Sequence, residues 1–175
     1  MADPLYRQLL SQARRLARLD PRRPKQGNLR RAVSSTYYAL FHFLIDKTCR
    51  TIIGTRHDLS GYRYVLGRGF NHGTMMRVCR AFSRGALPPG VRRGLPSAFT
   101  VPTEIRSIAE TFVVLQELRH GADYDLSETF VRADVLAQVA KVEQALRRFR
   151  EVRNMPAPRF FLGCLLTWNT RAGRR

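Results

Sequence analysis

Apolar residues recur at helical spacing in the first third of the chain and predict two α-helices there. The first helix begins at Asp3–Pro4, because Asp3 can accept a hydrogen bond as the N-cap and proline is suited to the first helical position. It ends before Pro21, because proline cannot continue the helical hydrogen-bond ladder. The second helix covers residues 28–53 and is the longer of the two.

The second predicted helix carries two apolar stripes instead of one. The stripes consist of Leu29, Val33, Tyr37, Leu40 and Leu44, and of Tyr38, Phe41, Ile45, Cys49 and Ile52. A helix that is apolar over so wide an arc needs a second cover besides its own bundle, and a symmetric partner subunit is an economical one. We therefore expect Tyr37, Tyr38 and Phe41 to lie in the core or in a homodimer interface.

Two further long helices are predicted in the C-terminal half. Apolar positions keep helical spacing over Thr103–His120, and Gly121 can supply the left-handed residue that ends such a helix. The segment Asp125–Glu128 has a capping-box pattern, which predicts the start of the next helix. The apolar stripe of that helix runs over Val131–Phe149.

The remaining segments are less regular. Residues 54–102 are rich in glycine and arginine and predict one short helix and loops. Residues 155–175 form an apolar and then basic tail, which either folds back onto a groove of the bundle or docks onto a partner. The prediction is an all-α bundle of about five helices, with one domain over residues 1–154 and the tail over residues 155–175.

The charge of the chain predicts a class of ligand. The formal net charge is +18, and residues 1–100 hold 19 basic and 4 acidic side chains, against 12 and 9 in residues 101–175. Clustered arginine gains free energy from counterion release on phosphate backbones, so the excess predicts a polyanionic partner, above all nucleic acid. For any single arginine, a solvated surface position is the simpler interpretation.

Several classes of protein are disfavoured by the same sequence. Cys49, Cys79 and Cys164 have no paired spacing, which argues against a disulfide framework or a zinc site and favours the reducing cytoplasm. The apolar runs Tyr37–Ile45 and Phe160–Leu166 are too short to span a bilayer, so no membrane partner is expected. No cofactor or metal motif is present, and we expect neither.

Two segments carry a family resemblance. Arg31–His42 reads RAVSSTYYALFH, with paired tyrosines in a helix, and Leu118–Asp125 reads LRHGADYD. Together, in this order and at this separation, they resemble the HEPN family, whose small helical domains occur beside minimal nucleotidyltransferases and in toxin–antitoxin systems. The second segment is similar to the Arg-x-x-Ala-Asp-Tyr sequence of one HEPN branch, and the resemblance covers about residues 5–150.

The resemblance implies an antiparallel helical bundle that dimerises, with the arginine segments of two subunits facing one another in a basic cleft. Ribonuclease members of the family cleave RNA without a metal, using an arginine followed about four to six residues later by a histidine that acts as general base. Here the residue after four intervening positions from Arg119 is Tyr124, followed by Asp125 and Leu126. The expected histidine is therefore absent, and the nearest histidine is His120.

Two functions follow as hypotheses, and helical DNA binding ranks third. In the first, a HEPN-like homodimer binds RNA or nucleotide through Arg119 together with Arg30 or Arg31, with a nucleotidyltransferase as protein partner. In the second, the same cleft is a metal-independent endoribonuclease that uses Arg119 with Tyr124 or His120 as catalytic residues.

The residues around Arg119 have simpler interpretations as well. Arg119 could cap the last carbonyls of its helix, where a cation is favoured by the helix dipole. Tyr124 could be a core or interface aromatic. Asp123 and Asp125 are expected to form turns or caps, because aspartate often hydrogen-bonds nearby backbone in loops.

Overall fold

The computed structural model describes residues 3–171, with side chains up to residue 169, so residues 172–175 of the predicted tail lie outside the described part. The described residues form eight α-helices, one 3₁₀ turn and no strand, which confirms the predicted all-α class. The helices are α1 (Leu5–Arg18), α2 (Gln26–Ile53), α3 (Ser60–Gly67), α4 (His72–Arg84), α5 (Pro89–Arg92), α6 (Thr103–Tyr124), α7 (Arg132–Val152) and α8 (Pro156–Arg171).

The chain divides into two compact units. The first unit comprises Met1–Phe43 and Thr111–Leu146, and therefore contains α1, the first part of α2, the second part of α6 and most of α7. The second unit comprises Leu44–Glu110 and Arg147–Arg175. It contains the remainder of these helices together with α3, α4, α5 and α8.

In the first unit α1 and α7 run antiparallel. Arg14 near the end of α1 pairs with Glu143 of α7 at 2.7 Å between Nη2 and Oε1. Arg132, the first residue of α7, donates hydrogen bonds to the carbonyl of Ala17 near the end of α1 and to that of Pro21 in the loop that follows. As the chain advances along α1 from Arg14 to Ala17, its contacts on α7 move back from Glu143 to Arg132.

In the same unit α2 and α6 also run antiparallel. Ser34 of α2 contacts Asp123 near the end of α6, whereas Tyr37, one turn later, packs against Phe112 with ring centroids 5.5 Å apart. A buried apolar cluster holds these helices together, and its members are Ala17, Leu29, Ala32, Val33, Ala122, Phe130 and Val135. The apolar stripes predicted for the helices thus form the core.

The chain itself covers most of the second apolar stripe of α2. In the first unit Phe41 is buried and Tyr38 is half-buried; in the second unit Cys49 is buried and only Ile52 is 53% exposed. The width of the apolar arc therefore does not by itself require a second subunit. Tyr37 and Phe41 are core residues, and the homodimer stays a prediction from the resemblance.

The predicted end of the third long helix at Gly121 is wrong, because α6 continues to Tyr124. Gly121 does not adopt a positive φ, unlike Gly54, Gly85 and Gly94. The helix needs no left-handed terminator because Arg30 of α2 donates hydrogen bonds to its last carbonyls.

The predicted start of the next helix near Asp125 is also wrong, because α7 begins at Arg132. The Asp125 carboxylate accepts hydrogen bonds from the backbone N–H and hydroxyl of Ser127, which closes a local turn and lowers the pKa of Asp125. Phe130 then enters the core, where its N–H and carbonyl bond the side-chain amide of Gln26, both at 2.9 Å. The helix α7 therefore begins only after Val131.

The stretch 54–102 is more helical than the sequence predicts. It holds α3, α4 and α5 and the 3₁₀ turn at His57–Leu59. The helix α4 has strong signals at both ends. Asn71 caps its first turn by accepting from the N–H of Thr74 at 3.1 Å, and Gly85 ends it in the left-handed conformation with φ of 68°.

In the second unit α8 lies on α4. Its described residues are thus folded back onto a helix of the chain itself, which is the first of the two interpretations given for the tail. Phe161 is fully buried, and its ring centroid lies 5.0 Å from that of Phe82. At the far end of the contact, the Arg77 guanidinium donates to the side chain of Asn169 at 2.8 Å.

The three cysteines are buried and form no disulfide. Within residues 3–171, no helix has both the length and the apolar character needed to cross a bilayer.

Candidate nucleic-acid interface

An open pocket of about 460 Å³ lies in the first unit between the start of α2 and the end of α6. We call it the Arg31 pocket; it is lined by Gly27, Arg30, Arg31, Ser34, Tyr38, Ala122, Asp123 and Tyr124. Gly27, Arg31, Ser34 and Tyr38 of α2 are three or four positions apart and share one face of the helix, with Arg30 at its edge. The pocket thus joins residues from both segments that carry the family resemblance.

Arg31 is the available cation of this pocket. Its side chain is exposed, and among residues 3–169 it has no hydrogen bond, ion pair or ring contact. A guanidinium in this state keeps all its donors for a ligand, and its planar fork matches the oxygens of a phosphate.

Arg30 is used differently, although it is adjacent to Arg31. Its guanidinium donates to four backbone carbonyls, those of Gly121 (3.4 Å), Ala122 (2.9 Å), Asp125 (2.9 Å) and Glu128 (2.5 Å). It also lies 5.6 Å from the ring centroid of Phe130. This geometry favours a structural role for Arg30, namely to fix the end of α6 and the loop that follows.

Arg119 lies beside the pocket and is held by aromatic rings. Its guanidinium carbon is 5.8, 5.5 and 6.0 Å from the ring centroids of Tyr37, Tyr38 and Tyr124. The side chain is 20% exposed, and Nε lies 2.6 Å from a carboxylate oxygen of Asp123. The Nε–H direction misses hydrogen-bond geometry, so charge is what holds the pair together. The simpler interpretation of Arg119, as a cap on the last carbonyls of its helix, does not hold, because Arg30 donates to those carbonyls instead.

The environment of Arg119 keeps it charged. Burial lowers its pKa, but Tyr38, Asp123 and Tyr124 act in the opposite direction, and the net effect raises the pKa above its ordinary value. Arg119 is therefore a permanent positive charge next to the Arg31 pocket.

Asp123 was expected in a turn, but it lies inside α6. One carboxylate oxygen accepts from the hydroxyl of Ser34 at 2.6 Å, and the other faces Arg119. Asp123 therefore links α2 to α6 and positions Arg119. Sequence reasoning missed Ser34, although its place one turn after Arg30 and Arg31 could have indicated it.

Tyr124 and His120 form an exposed aromatic pair at the edge of the site. Tyr124 is 65% exposed, which excludes the core position considered for it within this chain. The rings of His120 and Tyr124 are 5.1 Å apart, and neither side chain has a hydrogen bond among the described residues. His42 lies deeper; it stacks on Tyr38, and burial lowers its pKa.

The chemistry of the site suits phosphate and base recognition. Arg31 can bind a phosphate, while the Tyr124 ring offers a face on which an unpaired base can stack. The described part of the chain holds no cluster of three or more His, Cys, Asp or Glu side chains suited to a metal ion.

Comparison of the chain with protein-family models, with curated proteins and with solved structures found no match.

Proposed function

We propose that this chain is a HEPN-like domain that binds RNA or a nucleotide through the Arg31 pocket. The observation that carries the proposal is one juxtaposition: the uncommitted guanidinium of Arg31 shares a pocket with Tyr38 and the exposed ring of Tyr124. Phosphate contacts position a nucleic acid and aromatic faces hold its bases, so the two together suit single-stranded RNA.

Arg119 contributes a second positive charge at the same place. Because Asp123 fixes its Nε side, its Nη groups, which bond no acceptor among the described residues, are the ones that can reach a ligand. The pairing with Asp123 and the three tyrosine rings holds the guanidinium in one orientation before any ligand arrives. Such preorganisation lowers the entropy lost on binding.

The net charge of +18 supports the choice of a polyanion over a neutral ligand. The resemblance adds partners to the proposal: a second copy of the chain, and a nucleotidyltransferase of a toxin–antitoxin or defence-type system. In such a homodimer the basic pocket of each subunit would contribute to one cleft.

The experiment is an RNA titration with the variant Arg31→Ala across a salt series. We expect an affinity loss of about fivefold, equivalent to about 1 kcal/mol. The slope of log affinity against log salt should fall by about 0.7, because one phosphate contact to a single strand is lost. Fluorescence anisotropy with a labelled single-stranded RNA measures both quantities.

The matched control is Arg15→Ala in α1. Arg15 is likewise exposed and has no described partner, but it does not line the pocket. An equal loss from both variants would show that only diffuse charge matters, and a flat salt response of the unmodified protein would contradict phosphate binding altogether.

Endoribonuclease activity is the second candidate, favoured by the contact between His120 and Tyr124 next to Arg119. The ring of Tyr124 lies 5.1 Å from that of His120 and 6.0 Å from the guanidinium carbon of Arg119, so the three residues form one group. His120 can serve as the general base for the ribose 2′-hydroxyl, while Arg119 stabilises charge on the phosphate.

A cleavage assay in the presence of a metal chelator tests this candidate. If the site is catalytic, the rate should fall at least about a hundredfold in both Arg119→Ala and His120→Ala. The Arg15→Ala control should cleave at the unmodified rate. Equal, background-level products from all four proteins would leave binding as the function of the pocket.

A further inference from the structure

A second concave site lies in the second unit and shares no residue with the Arg31 pocket. It is a cavity of about 530 Å³ formed by the last turns of α2 and α7 and by the first turns of α8. Four of its lining residues are cations, Lys47, Arg50, Arg153 and Arg159, and we call it the Arg159 cavity. No acidic side chain of the described residues lines it.

The positive charge of this cavity is only partly compensated. Asp46, which does not line the cavity, pairs with Lys47 at 3.0 Å and with Arg50 at 2.6 Å. Arg153 donates from Nη1 to the carbonyl of Arg150 and has no described carboxylate partner. Arg153 and Arg159 therefore bring positive charge to the cavity that no described carboxylate compensates.

Arg159 is the most available of these groups. It is exposed, lies in the first turn of α8, and has no hydrogen bond, ion pair or ring contact among residues 3–169. Arg153 and Arg159 thus give the cavity two guanidinium groups that pair with no carboxylate among the described residues. Guanidinium pairs are well suited to the tetrahedral oxygens of a phosphate.

The floor of the cavity differs from its rim. Phe149 and Leu162 are 1% and 3% exposed and form an apolar base. Neutral polar groups complete the lining, namely Thr51, Thr55 and Asn154. Hydroxyl and amide groups can bond the neutral polar atoms of a ligand whose charged end is held by the arginines.

We infer that the Arg159 cavity binds a small phosphate monoester of about mononucleotide size. Its volume falls in the range of about 300–1,000 Å³ that is usual for small-molecule sites. A strand of RNA suits it less, because the aromatic ring that lines it, Phe149, is buried and cannot stack with a base. The inference does not rest on the function proposed for the Arg31 pocket, since the two sites share no residue.

Isothermal titration calorimetry with uridine 5′-monophosphate, uridine and inorganic phosphate tests the inference. The unmodified protein should bind the nucleotide and phosphate, and bind uridine at least about tenfold more weakly, because a charged phosphate supplies the main contacts. In Arg153→Gln/Arg159→Gln the affinity for the nucleotide should fall at least about tenfold, and in Arg159→Gln alone by a smaller factor. Thermal melts establish that each variant is folded.

Two controls separate this site from its alternatives. Arg148→Gln removes an exposed arginine of α7 that does not line the cavity and has no described partner, and Arg31→Ala alters the other pocket. Arg148→Gln should bind the nucleotide with unchanged affinity, and Arg31→Ala should retain the nucleotide binding that the double variant loses. The inference is overturned if the double variant binds it as tightly as the unmodified protein, if no binding is detected at millimolar ligand, or if Arg31→Ala abolishes it. It is equally overturned if the double variant loses affinity for RNA and none for the nucleotide.

Discussion

Replacing Phe161 by alanine is expected to lower the free energy of unfolding by about 3–5 kcal/mol. The side chain is fully buried and packs edge-on against Phe82 at 5.0 Å, so alanine leaves a cavity between α8 and α4 that the surroundings can only partly fill. Urea unfolding followed by circular dichroism measures the change.

Met155→Ala is the control for this variant. Met155 precedes the same helix but is 54% exposed, so its loss should change stability by no more than about 0.5 kcal/mol. Similar small effects from both substitutions would mean that α8 is a loosely attached tail, and would remove the basis for a cavity formed with its first turns.

Replacing Arg30 by alanine is expected to lower the free energy of unfolding by about 2–3 kcal/mol. The substitution removes the donors for four carbonyls at the end of α6 and in the following loop, and leaves part-buried acceptors without a partner. Lysine should not restore the loss, because a single ammonium cannot span acceptors that a planar guanidinium reaches in two directions.

The neighbouring Arg31→Ala is the matched control, since it deletes the same side chain one position further along α2. Its exposed guanidinium has no partner among residues 3–169, so stability should change by no more than about 0.5 kcal/mol. We therefore expect Arg30→Ala to lower mainly the stability and Arg31→Ala to lower mainly the RNA affinity. Equal destabilisation by both would contradict the division of roles.

Periodicity alone was enough to predict the long helices. The apolar stripe of α2 predicted over residues 28–53 matches a helix observed at Gln26–Ile53, and the stripe of α7 is buried from Val135 to Phe149. These positions are determined by burial of one helix face, which the sequence displays directly. The all-α class follows from the same signal.

The ends of α6 and α7 could not be predicted, because they depend on residues distant in sequence. Gly121 looks like a terminator, yet Arg30, some 90 positions earlier, donates to the final carbonyls and lets the helix continue. Gln26 likewise holds Phe130 in an extended segment through both of its backbone groups. Local propensity has no access to such tertiary hydrogen bonds.

The candidate site was predicted in outline and not in detail. The two resembling segments do meet, and Tyr38, Tyr124 and Arg31 line one pocket. The sequence could not distinguish the roles of the adjacent residues Arg30 and Arg31. Helical geometry separates their directions by about 100°, and only the fold decides which guanidinium faces backbone carbonyls and which faces solvent.

The central claim, that RNA is bound at the Arg31 pocket, is tested most directly by cross-linking. RNA carrying 4-thiouridine is bound to the protein, irradiated, and the cross-linked tryptic peptides are identified by mass spectrometry. The peptides that contain the pocket tyrosines are residues 32–47 with Tyr38 and residues 120–132 with Tyr124. Residues 64–68 carry Tyr64, which is 67% exposed against 65% for Tyr124 but belongs to the second unit. We predict cross-links in 32–47 or 120–132 and none in 64–68; cross-links confined to 64–68 or to other peptides outside the pocket would contradict the account.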